Sequence, residues 1–349
     1  MAAVGAVALV LAFTPPANAS SSRCVPRFTE VDQVSNQPDK AEVTDADAVN
    51  SWGLALSSTG QLWVANNNTN TATIYQGGVG GAVSKEDLTV TIPGGAPTGQ
   101  AFNDTDGFVV KVGDRSAPAT FLLVSEGGDV TAWSSEVSGT TASLVAHIDG
   151  AVFKGLALVH TRHGPFLLAT DFVGGRIDVF DKDFHLVELP EDVFHDPELP
   201  EGYAPFNVHA VEDDVFVTYA LRQADSTDEA HGPGLGIIDK YIRFGHKVER
   251  IASHGVLNAP WGMAIAPSGF GELTGALLVG NFGDGRISVF RDNHFLGQLR
   301  DTANELVTID GLWALLPGTE STGGVGTLWF SAGPDDEANG LVGQLIPSS

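Results

Sequence analysis

Residues 167–180 read LLATDFVGGRIDVF and residues 277–290 read LLVGNFGDGRISVF; the two align without a gap. A chain that repeats itself at long spacing builds its fold from copies of one supersecondary unit. The unit is legible around the second copy. Over residues 258–299, four short apolar runs (262–266, 276–280, 286–290 and 295–299) are separated by glycine, asparagine and aspartate. Runs of this length between turn residues predict a four-stranded antiparallel meander. Both faces of such a sheet are apolar, so it needs a copy on each side. Copies stacked around an axis make a β-propeller.

The pattern recurs along the chain. Blade 1 takes residues 52–56, 61–65, 72–76 and 87–92. Blade 2 takes 98–102, 120–125, 129–133 and 142–148. Blade 3 starts at 154–157 and continues through the repeated segment 167–180, and a Pro-, Glu- and Asp-rich linker follows at 190–203. Blade 4 takes 205–208, 215–219, 236–242 and 247–251, interrupted by a loop at 223–233. Blade 5 is the stretch 258–299, and blade 6 has 311–315, 327–331 and 340–346. A last blade of three strands leaves an open edge, which invites aggregation. The spare run at 27–34 supplies the missing strand. The expectation is an all-β, six-bladed β-propeller over residues 20–349, closed by pairing of the N- and C-terminal strands.

Composition agrees and narrows the partners. The 42 glycines and 17% charged residues suit many short strands and tight turns. A formal net charge of −25 repels nucleic acid and anionic lipid, and also serves plain solubility. With one cysteine, Cys24, no intrachain disulfide forms. Residues 1–19 are apolar through Phe13 and end in Ala17-Asn18-Ala19, a small-x-small signal-cleavage pattern without the usual basic n-region. A signal peptide at 1–19 and an exported, secreted or extracytoplasmic chain beginning at Ser20 are expected. No later apolar run is long enough to span a bilayer. A monomer is expected.

Six motifs span nearly all of the chain after the leader: Asn50-Ser51-Trp52-Gly53-Leu54-Ala55, Pro97-Thr98-Gly99-Gln100, Tyr203-Ala204-Pro205-Phe206-Asn207-Val208, Asn258-Ala259-Pro260-Trp261-Gly262, Asn281-Phe282-Gly283-Asp284-Gly285 and Ala332-Gly333-Pro334-Asp335-Asp336-Glu337. With these motifs the chain resembles a family of uncharacterised secreted bacterial β-propeller proteins, some of whose members carry PEP-CTERM sorting tails. The resemblance implies the fold and export but no activity. At fold level the chain is also similar to six-bladed NHL-type and gluconolactonase-like propellers.

Catalytic signatures are missing from the sequence: there is no Gly-x-Ser-x-Gly, His-Glu-x-x-His, Cys-x-x-Cys or P-loop. Residues 103–107, NDTDG, hint at an EF-hand, but Phe102 and Gly113 would stand at the first and last ligand positions, so this is a turn. His160 and His163 read as solvated turn histidines. Topology points elsewhere. In a propeller the start of each first strand and the end of each second strand share one rim. The start positions are Trp52, Gln100, Lys154, Asn207, Trp261 and Asp310; the end positions are Asn66, Glu126, Asp171, Tyr219, Asn281 and Ser331. Their plain reading is strand capping. As a set they suggest a polar axial funnel for a small molecule, glycan or peptide. The alternative is a lactonase-like hydrolase in which Glu126, Asp171, Asn207 and Asn281 hold calcium or another divalent cation. Lys154 faces Glu126 across a blade boundary, and a pair between them would neutralise the funnel without metal. The aromatic–glycine pairs Trp52-Gly53 and Trp261-Gly262 read as wedges where blades approach. Arg176 and Arg286, matched in the repeat, read as bridges between blades.

Overall fold

The computed structural model describes residues 25–242 and 245–348. Six sheets form the blades of a propeller. The expected signal segment and Cys24 lie outside the described residues. No helix among those residues is long and apolar enough to cross a membrane.

Each blade is an antiparallel meander, innermost strand first. Blade 1 is Ser51–Leu56, Leu62–Asn66, Thr71–Gly77 and Val83–Thr91. Blade 2 is Pro97–Phe102, Phe121–Ser125, Asp129–Trp133 and Ser143–His147, with an extra hairpin, Val109–Val112 and Arg115–Pro118, between its first two strands. The expected turn at 103–107 leads into that hairpin. Asn103 holds it, its Oδ1 accepting from the Thr105 N–H at 3.1 Å and its amide donating to the Ala119 carbonyl at 2.8 Å. Blade 3 has only Phe153–Thr161, Gly164–Asp171 and Arg176–Phe180. Blade 4 is Tyr203–Val211, Asp214–Leu221, Ile237–Ile242 and Lys247–Ser253. Blade 5 is Pro260–Ile265, Leu277–Asn281, Ile287–Arg291 and His294–Gln298. Both copies of the repeated segment are thus the second and third strands of their blades.

Blade 6 closes the ring as expected. Its strands Leu312–Pro317, Leu328–Ala332 and Leu341–Ser348 are followed in the sheet by Arg27–Ser35, from the other end of the chain. The register runs antiparallel from Arg27 opposite Ser348 to Ser35 opposite Leu341. Val43–Thr44 adds a short parallel fifth strand.

The core lies between blades rather than at one centre. In the second strand of blade 1, Leu62 and Val64 face blade 6 while Trp63 and Ala65 face blade 2. Successive side chains alternate across a sheet, so a strand covered on both faces is apolar at every position. Each of the six blade boundaries has such a cluster. The arginines matched in the repeat do not bridge these boundaries. Arg176 pairs with Asp178 at 2.6 Å and Asp171 at 3.1 Å, and Arg286 lies 3.9 Å from Asp284, each within its own blade. An arginine beside a hairpin turn reaches the turn's own carboxylates first.

Deleting residues 27–35 removes a full ladder, each bond worth about 0.5–1.5 kcal/mol net, and the buried Phe28 and Val34 with it. The truncated protein is expected to aggregate, or to lose more than about 10 °C in Tm. Size-exclusion chromatography with thermal melts checks this; a soluble monomer with unchanged Tm would refute the closure.

Candidate functional site

The geometry at the axis begins with a repeated irregularity. In every blade the register slips at the start of the first strand, between Ser51 and Leu54, Phe153 and Gly155, Pro205 and Asn207, Pro260 and Gly262, and Leu312 and Leu315; in blade 2 it slips opposite Thr98 and Gly99. A β-bulge inserts a residue and re-aims its side chain. The residues in these bulges are Trp52, Thr98, Lys154, Phe206, Trp261 and Trp313.

Glycine beside the bulge lets the blades come together. A Cβ on Gly53 would stand 2.5 Å from the Thr98 carbonyl oxygen, and one on Gly262 2.4 Å from that of Trp313. The bulged side chains then meet across the axis. Trp52 of blade 1 stacks on Trp313 of blade 6 at 3.4 Å and meets Trp261 of blade 5 edge-on at 5.8 Å. Phe282 stacks on the Trp313 ring at 3.9 Å. The wedge role expected for Trp52 and Trp261 is therefore part of a larger aromatic plug.

Lys154 is the charged member of this ring and is 2% exposed. Its ammonium lies 2.6 Å from Glu126, 3.7 Å from Asp228 and 5.2 Å from the centroid of Trp52. Burial works against the charge, but Glu126, Glu229 and Asp228 outweigh it and hold the lysine pKa above its ordinary value. The second oxygen of Glu126 accepts from the Asn67 amide at 3.1 Å. The expected pair thus forms, at the rim where strands end.

Other groups complete this rim that the sequence did not single out. The blade 4 loop at 223–233 brings Asp228, Glu229 and His231 over the mouth. Its Gly232 N–H is held by Asn258 at 2.7 Å. Glu229 is buried and lies 3.3 Å from His231, whose pKa rises through that bond. His231 packs edge-on against Phe282 at 5.0 Å. Glu337 arrives from blade 6. Burial, together with the neighbouring Glu229, pushes its carboxyl up to about 7. The acidic turn motif at 332–337 was the only signal for Glu337, and the loop carried no periodicity at all.

The remaining candidates are placed differently. Asn66 accepts from Ser51 at 3.1 Å and donates to Thr73 at 2.9 Å, inside blade 1. Gln100 donates to the carbonyls of Gly53 and Trp63, tying blade 2 to blade 1. Asn207 donates to the Trp261 carbonyl at 2.7 Å, tying blade 4 to blade 5. Asp171 accepts from the N–H groups of Val152 and Gly174, and Asn281 bridges Asn258 and Val256. The Tyr219 hydroxyl meets that of Tyr241 at 2.6 Å, inside blade 4. Asp310 caps the Asp335 N–H at 2.9 Å on the surface, and Ser331 donates to the Trp52 carbonyl. Asp171, Asn207 and Asn281 are thus each engaged by backbone groups at strand ends, while Glu126 is engaged by Lys154 and Asn67. Among the described residues no group of three or more His, Cys, Asp and Glu side chains has the arrangement to hold a metal ion. His160 and His163 are exposed, His160 lying 3.0 Å from Asp104.

Glu126→Gln leaves the buried ammonium with Asp228 and Glu229 alone, and an expected loss of about 1.5–3 kcal/mol follows. Adding Lys154→Met removes the stranded charge and should recover most of it. Urea unfolding at pH 7 measures both. Glu337 gives a pH test. Its folded pKa, about 7, exceeds its ordinary value of 4.5, so the native state keeps a proton that the unfolded chain releases. That costs stability as pH rises from 4.5 to 7 and fully above it. Glu337→Gln is expected to stabilise the protein by about 1–3 kcal/mol at pH 8 and hardly at all at pH 4. An equal effect at both pH values would contradict the assignment.

No protein-family model matches the chain. Among solved structures it is similar to a Penicillium chrysogenum α-L-arabinanase complexed with arabinobiose, with a TM-score of 0.58, 15% identity and coverage of 92% of this chain and 98% of the other. A streptogramin B lyase matches with a TM-score of 0.52, 12% identity and coverage of 92% and 97%. At such identities the likeness is one of fold. Two sequence relatives come from Acanthamoeba polyphaga mimivirus. Uncharacterized protein R648 is 33% identical over 89% of this chain and 78% of its own length, and uncharacterized protein L690 is 32% identical over 90% and 84%. The chain belongs to the family of these two uncharacterised mimivirus proteins.

Proposed function

We propose that the protein binds a small polar ligand at the mouth formed by Glu126, Lys154, Asp228, Glu229, His231 and Glu337. The observation that carries this reading is Lys154. A lysine at an axial position that other blades fill with tryptophan, phenylalanine or threonine does not improve packing. Its ammonium is turned to the rim, where carboxylates and an amide from blades 1, 2, 4 and 6 collect. Carboxylates, amides and an ammonium together accept and donate hydrogen bonds, which suits a glycan or another hydroxyl-rich molecule better than an apolar one. The α-L-arabinanase of similar fold is complexed with arabinobiose. The cation-dependent, lactonase-like alternative has less support, since three of its four ligands are engaged as caps and Lys154 neutralises the fourth.

The test is calorimetric titration of the intact protein with a panel of neutral mono- and disaccharides and short peptides, with and without EDTA. Saturable binding by one class is expected, lost in Glu229→Gln and Lys154→Met and kept in Val109→Ala on the distant blade 2 hairpin. EDTA should change nothing. A ligand held equally by all variants would remove the mouth as the site, and binding abolished by EDTA would restore the cation reading.

A further inference from the structure

The residues that follow the axial bulge match from blade to blade. Two past it stand Leu54, Gln100, Leu156, Val208, Met263 and Leu315; three past it stand Ala55, Ala101, Ala157, His209, Ala264 and Leu316. Each set has one polar member. Gln100 is accounted for, since its amide ties blade 2 to blade 1 through the Gly53 and Trp63 carbonyls. His209 is not. Its imidazole stands where four blades carry alanine and one carries leucine, so neither packing nor strand pairing calls for it. Among the described residues no charged group and no hydrogen bond acts on it, and burial alone pushes its pKa down to about 4. At pH 7 the ring is neutral, with one N–H donor and one acceptor nitrogen unused.

His209 lines a cavity of about 330 Å³ on the propeller axis, walled by the first strands of all six blades. Trp261 of the aromatic plug lines its inner end. At the other end Leu56, Phe102, Leu158, Ala210 and Leu316 are partly exposed. Those residues lie toward the far ends of the first strands, so the cavity opens on the face opposite the mouth. Its size is at the low end of small-molecule pockets, which run from about 300 to 1,000 Å³. Each first strand is the inner edge of its sheet, so alternate residues turn their N–H and C=O groups to the axis. Between these groups the walls are apolar, with Leu54, Leu156 and Met263 among them, and no charged side chain lines the space.

From this geometry we infer that the axial cavity is a second ligand site, which takes a small uncharged alcohol or phenol with an apolar body and hydrogen-bonds its hydroxyl to the His209 imidazole. Three features select this occupant. A carboxylate or ammonium entering here would lose its hydration and meet no counter-ion. A sugar would set hydroxyl groups against the leucine and methionine walls, whereas an apolar body covers them. A hydroxyl both donates and accepts, which matches a neutral imidazole with both nitrogens unused. The plug separates this cavity from the mouth, and neither reading depends on the other.

The experiment titrates the intact protein at pH 7 with 2-naphthol and with naphthalene-2-carboxylate, which has the same body and a charge, and follows naphthyl fluorescence anisotropy. 2-Naphthol is expected to bind saturably, with a Kd of about 10–500 μM, and the carboxylate at least roughly tenfold more weakly. His209→Leu keeps an apolar wall of similar volume without the hydrogen bond and should weaken 2-naphthol binding by roughly threefold to tenfold. His209→Ala is the second variant. Both place a residue that matching positions in other blades already use, so the fold is expected to survive, and thermal melts check it. The imidazole Cε1–H resonance of His209, assigned by its loss in His209→Leu, should shift as 2-naphthol saturates the protein. No saturable binding of 2-naphthol, equal binding of the carboxylate, unchanged affinity in both His209 variants, or an unmoved His209 resonance would each overturn the inference.

Discussion

Backbone approach at the axis is the constraint on which the molecule depends. Six first strands must lie side by side around a narrow centre, and a side chain pointing sideways there would strike the neighbouring main chain. Gly53, Gly99, Gly155 and Gly262 remove that side chain, each leaving its α-carbon facing backbone or an inward side chain of the next blade. The bulge that accompanies them turns the preceding residue inward. Close approach and inward aim are thus one device. It closes the axis with stacked tryptophans, and it fixes which side chains share the centre of the rim.

The same economy explains why closure and the incomplete blade coexist. A ring of sheets has no free face between blades, because every blade covers its two neighbours. It still has outer edges, one per blade. In blade 6 the outermost positions are filled from the other end of the chain, which ties the first described strand to the last and makes ring integrity depend on a contact between distant residues. In blade 3 the linker itself takes the outer position, with Val187 paired beside Val179, and then passes on to blade 4. Asp196 makes that detour stable, since two cations from the outer strand of blade 4 neutralise it in place.

Blade count, strand order and ring closure were legible in the sequence because they follow from period-two burial and the spacing of turn residues, which survive divergence between copies. The mouth was legible only in part. Lys154 and Glu126 stood out as charges beside apolar strands, and they do pair. Asn66, Asp171, Asn207 and Asn281 looked equivalent to them, since a polar residue at a strand end has the same signature whether it caps backbone or faces solvent. Gln100 was misplaced by the bulge: it lies past the inserted residue, so its amide runs between blades instead of to the axis. Tyr219 sits on the blade face, where only the position of Tyr241 gives its hydroxyl a partner. Glu229 and His231 belong to a loop with no periodicity, and tertiary contact alone brings them to the rim.

Lys154 is held charged by its carboxylates at a position where an apolar side chain would serve the packing as well, and that gives the residue its significance. A buried ammonium must recover a desolvation cost of several kcal/mol from its partners. Replacing such a pair by well-packed apolar groups is often neutral or stabilising. The ring itself contains the apolar solution, in Trp52, Trp261 and Trp313 at matching positions. A chain selected only to close its axis had that solution to hand and would have had no need of Glu126, Asp228 and Glu229 around a lysine. The cluster does cost stability at Glu337, whose carboxyl must stay protonated near neutral pH or ionise beside its acidic neighbours. A buried ion pair and a carboxyl held protonated, together at one rim on blades that need neither for folding, fit the ligand mouth proposed above.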